Sequence, residues 1–182
     1  MQHYRLICAF LIIVLSACHK QPQPRKPVSY KSGSFLDESL KRNIAILKSE
    51  EEVIFKIIEE DSSNTYFNSS NGFWYHYVKR NTTDTITPEF GDQVTFTYNL
   101  RTFSDDTIYT MAEIGERKYV MEQQRLMTGL RQGLKLMKTG EQVNFLFPSS
   151  RAYGFYGDKK RIGSDVPLKA TIKLKSIKKT EK

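Results

Sequence analysis

The run Gly129-Leu130-Arg131-Gln132-Gly133-Leu134-Lys135-Leu136-Met137-Lys138-Thr139-Gly140-Glu141 decides the fold, together with Gln142 to Pro148 and Arg151-Ala152-Tyr153-Gly154 just beyond it. Leu130, Leu134 and Met137 fall at i, i+4 and i+7, so the spacing puts them on one face of a short helix. Gly133 lies within that turn, where a glycine costs stability and marks a close backbone approach. Gly140 stands where a helix C-cap would. Val143, Phe145 and Phe147 then alternate with Gln142 and Asn144, the period of a half-buried strand. Tyr153 follows in a turn. A short helix thus feeds a strand that delivers a tyrosine to the same end of the domain.

The same alternation recurs on both sides of this unit. In Gly91-Asp92-Gln93-Val94-Thr95-Phe96-Thr97-Tyr98, residues Val94, Phe96 and Tyr98 share one face. Phe103 to Thr110 reads as a hairpin, and Ala170-Thr171-Ile172-Lys173-Leu174 as a closing strand. Gly72-Phe73-Trp74-Tyr75-His76-Tyr77-Val78 is rich in aromatics and reads as a further strand. Residues 61–71 and 80–90 are polar and read as loops.

Taken in order, these stretches resemble the FKBP-type peptidyl-prolyl isomerases, in the patterns G-D-x-V-x-(V/F)-x-Y, G-(W/L)-x-x-G-L-x-x-M-x-x-G-E, P-x-x-x-A-Y-G and A-T-L-x-(F/Y). The resemblance covers about residues 88–178, within a domain over 72–182. It implies an α+β fold, a twisted antiparallel sheet of about five strands wrapped around one short helix, with an extra helix at the N-terminal side. It also implies a shallow apolar pocket between sheet and helix. Carried over, Tyr98 and Tyr109 would form walls, and Tyr119 falls near a further aromatic position. Leu126 and Met127 precede the helix, where a backbone N–H binds the peptide carbonyl, and Leu130 would be the pocket floor. Tyr153 would offer its hydroxyl to the substrate carbonyl, and Leu174 would close the back.

The chemistry of amide rotation suits this composition. The barrier of about 18–20 kcal/mol arises from resonance, and lowering it requires no acid, base or nucleophile. A dry apolar pocket disfavours the planar polar amide relative to the twisted one. The chain carries no Ser-His-Asp set, no Cys/His cluster and no paired carboxylates in motif spacing. No metal or cofactor is implied; His76 is a lone histidine without a partner at ligand spacing. Three positions depart from the family pattern. Thr110 stands for the aspartate after the hairpin aromatic, Leu130 for the tryptophan of the most active members, and Asp106 for the hairpin glycine. Asp158-Lys159-Lys160-Arg161 puts a charged segment beside the pocket, suited to extended acidic chains.

The N-terminal part reads differently. Arg5 precedes the apolar run Leu6 to Leu15, too short for a membrane span, which needs roughly 20 residues. Leu15-Ser16-Ala17-Cys18 resembles a bacterial lipobox, with residues 1–17 as signal peptide and lipidation at Cys18. An uncleaved anchor or an ordinary signal peptide is the alternative. Cys8 lies in the removed segment, so no disulfide is available to the mature chain. Residues 18–34 form a tether in which Pro22, Pro24 and Pro27 favour an extended spacer. Residues 35–61 read as an amphipathic helix, with Leu36, Leu40, Ile44, Leu47, Ile54 and Ile58 near a 3.6-residue step and Glu50 to Glu52 as a solvated face. That helix either packs on its own domain or joins a second copy. The expected location is the bacterial cell envelope, lipid-anchored and periplasm-facing, at the outer membrane. The expected partners are proline-containing polypeptides and, through the lipid, a membrane. The net charge of +8 is spread along the chain without a dense Lys/Arg block among aromatics, which argues against nucleic acid. The layout as a whole is similar to the FKBP-like gliding-motility lipoproteins of the Bacteroidetes. A non-catalytic chaperone using the same cleft is the second reading.

Overall fold

The computed structural model describes residues 32–180; Cys18, the expected signal peptide and most of the expected tether lie outside the described residues. Helix α1 (Ser32–Glu60) begins three residues earlier than the apolar stripe suggests. Eight strands follow: β1 (Phe67–Ser69), β2 (Phe73–Lys79), β3 (Gln93–Tyr98), β4 (Leu100–Arg101), β5 (Thr107–Tyr109), β6 (Arg117–Val120), β7 (Gln142–Phe147) and β8 (Leu168–Lys178). Helix α2 (Met111–Ile114) follows β5, and helix α3 (Thr128–Leu134) precedes β7. All pairings are antiparallel, in the order β1-β2-β7-β8-β3-β6, with β4 joining β8 and β5. The sheet is larger than the five strands expected because β1, β4 and β5 are only two or three residues long. Runs that short leave no alternation to read: β1 sits inside the polar stretch 61–71.

The alternation in β7 separates two cores. Val143, Phe145 and Phe147 point to the side of α3, where Phe145 and Phe147 stack with centroids 5.3 Å apart and Phe73 meets both edge-on. Leu146 points to the opposite side, where it packs with Trp74 and Ile54 of α1. The α3 side is the main core, joined by Val94, Phe96, Leu130, Leu134, Met137, Ile172 and Leu174, all fully or almost fully buried.

Helix α3 lies very close to the sheet because two glycines face it. A Cβ on Gly129 would stand 2.5 Å from the Phe147 ring, and one on Gly133 would stand 2.9 Å from the Phe145 ring. Any side chain there would force the helix off the strand. The helix is shorter than the leucine spacing suggests. It ends at Leu134, and Met137 reaches the same core from the turn that follows. Gly140, six residues past the helix end, is no C-cap: it has φ +84°, and its N–H donates to the Leu174 carbonyl at 2.8 Å. That turn is held by Glu141, whose buried carboxylate accepts N–H bonds from Asn81 at 3.0 Å and Lys138 at 2.8 Å.

One charged residue of α1 is not on a solvated face. Glu50 is buried and accepts the Ser149 N–H at 2.9 Å, tying α1 to the turn after β7.

Candidate active site

Strand β3 ends at Tyr98, β5 ends at Tyr109, and the turn after β7 carries Tyr153; these three ends meet at one cavity of about 400 Å³. Leu100 and Ile114 give the cavity apolar wall, and Glu113, Arg117, Asp158 and Lys160 give it a charged rim. The convergence follows from topology. β3 and β7 both pair with β8, so a residue at the end of β3 and one in the turn after β7 lie at the same edge of the sheet.

The hydroxyls of Tyr98 and Tyr153 have no hydrogen-bond partner among the described residues, so both are free to donate into the cavity. Burial pushes the Tyr153 hydroxyl up to about 12, with the neighbouring tyrosines and Asp158 adding to it. Burial also raises Tyr98. Both therefore remain protonated donors at neutral pH.

Tyr109 is engaged differently. Its hydroxyl donates to the Asp158 carboxylate at 2.5 Å, and that bond raises the Tyr109 hydroxyl above its ordinary value. The other Asp158 oxygen accepts N–H bonds from Lys160 and Ile162, both at 2.8 Å. Burial of the Asp158 carboxyl works against ionisation, but these donors outweigh it and hold the group below the usual carboxylate range. Arg161 lies over the Tyr109 ring and donates to the Ile108 carbonyl at 2.8 Å and to Glu113 at 2.9 Å. The segment from Gly157 to Ile162, a flap beside the cavity, is thus fastened to the β5–α2 corner at three points. It turns back on itself at Gly157, with φ +62°, where a Cβ would stand 2.1 Å from the Ile162 carbonyl oxygen.

Thr110 has its own task. Its hydroxyl caps α2 by accepting the Glu113 N–H at 3.1 Å, while Glu113 returns a bond to the Thr110 N–H at 2.8 Å. The Thr110 N–H first, then Arg161 and the Thr110 hydroxyl, pull the Glu113 carboxyl down to about 2. The carboxylate that touches a pocket tyrosine therefore comes from the flap, at Asp158, and not from position 110.

The remaining expected site residues sit behind this surface. Leu130 and Leu174 are fully buried, and Tyr119 and Met127 nearly so; Leu126 packs half-buried on the same core as Tyr98. None of the five lines the cavity. The Tyr119 hydroxyl is committed to the turn below it, donating to the Gln124 carbonyl at 3.2 Å and accepting the Glu122 N–H at 3.2 Å. Conversely, Arg117, Glu113, Leu100 and Ile114 do line it, and sequence reading missed them. The Thr110-Met111-Ala112-Glu113 spacing of a capping box was the one signal that could have placed Glu113 at a helix start. His76 is on the other side of the sheet with Asn144, and burial lowers its pKa. Among the described residues no three His, Cys, Asp or Glu side chains cluster as metal ligands would.

Three tyrosine-bearing ends thus meet at one cavity that has Leu100 and Ile114 in its wall, a charged rim, and the Tyr98 and Tyr153 hydroxyls free to donate. The chain matches the FKBP-type peptidyl-prolyl cis-trans isomerase family over residues 84–175, half of its length, and belongs to that family. Two solved structures share the fold. A peptidyl-prolyl cis-trans isomerase from Pseudomonas syringae pv. tomato superposes with a TM-score of 0.59 at 20% identity, over 74% of this chain and 95% of that one. FkpA from Escherichia coli gives a TM-score of 0.59 at 16% identity, over 96% of this chain and 82% of its own. No curated protein matches the chain.

Proposed function

We propose that this isomerase acts on exported polypeptides from a lipid anchor in the bacterial cell envelope, with Tyr153 and Tyr98 as the donors that hold the twisted prolyl bond. The meeting of the two unpartnered tyrosine hydroxyls at one cavity, beside Leu100, Ile114 and the tyrosine rings, carries the reading. A planar prolyl amide entering the cavity loses water that stabilised its charge separation. The twisted amide, which has less charge separation, loses less, and a donor to the carbonyl oxygen fixes the orientation. Tyr109 serves as a wall, its hydroxyl already bound to Asp158. The buried Met127, Leu130, Tyr119 and Leu174 and the half-buried Leu126 support the walls from behind.

The envelope location rests on Leu15-Ser16-Ala17-Cys18 and on the Pro-rich tether after it. Metabolic palmitate labelling checks it: the Cys18→Ser chain, lacking the thiol, should take up none. A further step, that the substrates include components of a gliding apparatus, rests on layout alone. One observation favours a second reading, in which the protein holds chains or a second copy without turning bonds. Leu40 and Ile44 of α1 are each 58% exposed, an apolar side left to solvent. An exchange-NMR assay on the full chain with a proline peptide separates the two. Measurable catalysis that weakens in Tyr153→Phe supports the isomerase. No catalysis, together with suppressed aggregation of an unfolded client, supports the holding role.

A further inference from the structure

The rim of the cavity carries charges that the three tyrosines do not account for. Five ionised side chains stand there or touch those that do: Glu113, Asp158, Arg161, Arg117 and Lys160. Both carboxylates are occupied. Glu113 is held by Thr110 and Arg161, and Asp158 by Tyr109 and two backbone N–H groups. Arg161 is spent on Glu113 and the Ile108 carbonyl. Arg117 on β6 and Lys160 on the flap are left. Both are exposed, both line the cavity, and neither makes a salt bridge or a side-chain hydrogen bond among the described residues.

Arg117 lines the same cavity as Tyr98 and Tyr153. Its charge acts on the Tyr98 and Tyr153 hydroxyls together, partly offsetting the effect of burial on each. Its carboxylate neighbours in the cavity, Glu113 and Asp158, are bound by Arg161 and Tyr109 and make no ion pair with it. With Arg161 the mouth carries three cations against two carboxylates, and this net positive charge favours negative chains over positive ones.

We propose that Arg117 and Lys160 are the specificity-determining residues of this site, selecting prolyl bonds directly flanked by aspartate or glutamate. The proposal deepens the isomerase reading and rests on it for the position of the prolyl bond. An acidic side chain next to the proline meets Arg117, Lys160 or both as the bond sits between Tyr98 and Tyr153. Exposed ion pairs are individually weak, so each cation contributes a factor of about 1.5 to 5. The pair together then favours a glutamate peptide over its glutamine isostere by roughly two- to twenty-five-fold at low salt, and less as salt screens the charges.

The test uses the full chain and three proline peptides identical except for Glu, Gln or Lys before the proline. Exchange NMR gives kcat/KM, and chemical-shift titration of the same peptides gives Kd. The expected order is Glu above Gln above Lys in both, compressed in 0.5 M salt. In Arg117→Gln/Lys160→Gln the Glu-to-Gln ratio falls to near one, whereas Arg117→Lys, which keeps the charge, retains it. Turnover of all three peptides at equal kcat/KM overturns the proposal while leaving the isomerase reading intact. Tighter binding of the Glu peptide with no turnover of any peptide does the reverse: the acidic preference stands and the isomerase reading falls. Equal Kd values with no turnover remove both.

Discussion

Helix α3 and helix α1 each carry leucines at helical spacing, yet the fold uses them in opposite ways. Helix α3 has seven residues, of which Gly129, Leu130, Gly133 and Leu134 are buried, and it is pressed onto Phe145 and Phe147 without intervening side chains. Helix α1 has 29 residues, but its buried contacts come from its later half, through Ile54 under Trp74 and Glu50 on Ser149, while Arg42 in its first half pairs with Asp165 at the surface. Leu40 and Ile44 stay exposed. Periodicity says which side of a helix is apolar. What covers that side depends on where the rest of the chain goes.

The largest effect should come from a charge in the covered helix. Leu130→Asp places a carboxylate at a position with no exposure, and desolvation of an unpaired charge costs more than a marginally stable domain can spare. The far-ultraviolet spectrum should lose its cooperative thermal transition. If the variant melts like the parent, Leu130 is a pocket surface after all and the contrast between the helices is weaker than drawn. Next comes Gly129→Ala. In an exposed helix this change stabilises by about 0.5–1 kcal/mol. Here the new methyl meets the Phe147 ring at 2.5 Å and the Arg151 carbonyl oxygen at 2.9 Å, and the overpacking should cost about 1–3 kcal/mol in urea unfolding. The opposite sign from an ordinary Gly→Ala change is the informative part.

Smaller again is Tyr153→Phe, which keeps the ring and removes the donor. It should lower kcat/KM by roughly two- to tenfold, the equivalent of about 0.5–1.5 kcal/mol for one hydrogen bond, with little change in stability. In the parent, kcat/KM should be flat from pH 6 to 9. The Tyr98, Tyr109 and Tyr153 hydroxyls are all raised above their ordinary value, and none loses its proton in that window. Smallest of all, Ile44→Ser on the open side of α1 should move the urea midpoint by less than about 0.5 kcal/mol equivalent. A loss well beyond that, accompanied by a halved mass in light scattering, would show that a second copy covers α1 after all.

The legible parts of this chain were those where one residue pattern has one physical outcome. Alternation at Val94, Phe96 and Tyr98, and at Val143, Phe145 and Phe147, predicted two buried strand faces, and both are buried. The leucine spacing at 130–137 identified the core helix, though Met137 shows that spacing alone cannot say where a helix stops. Tyr98, Tyr109 and Tyr153 were selected because the motif order names them, and the sheet brings them to one cavity. Beyond that the signal fails. Glu50 reads as one of three solvated glutamates and is buried, because only the packed chain brings Ser149 to it.

By itself, then, the amino-acid sequence determined the family, the alternating strands that build the sheet and the aromatic character of the cavity, since hydrophobic periodicity and turn glycines act over a few residues. The charges at the cavity mouth were decided by tertiary structure. Asp158 takes the Tyr109 hydroxyl across 49 residues, Arg161 takes Glu113 across 48, and the two pairings leave Arg117 and Lys160 without a partner. Coulomb and hydrogen-bond energies depend on distances between segments remote in sequence, and no local pattern records those distances.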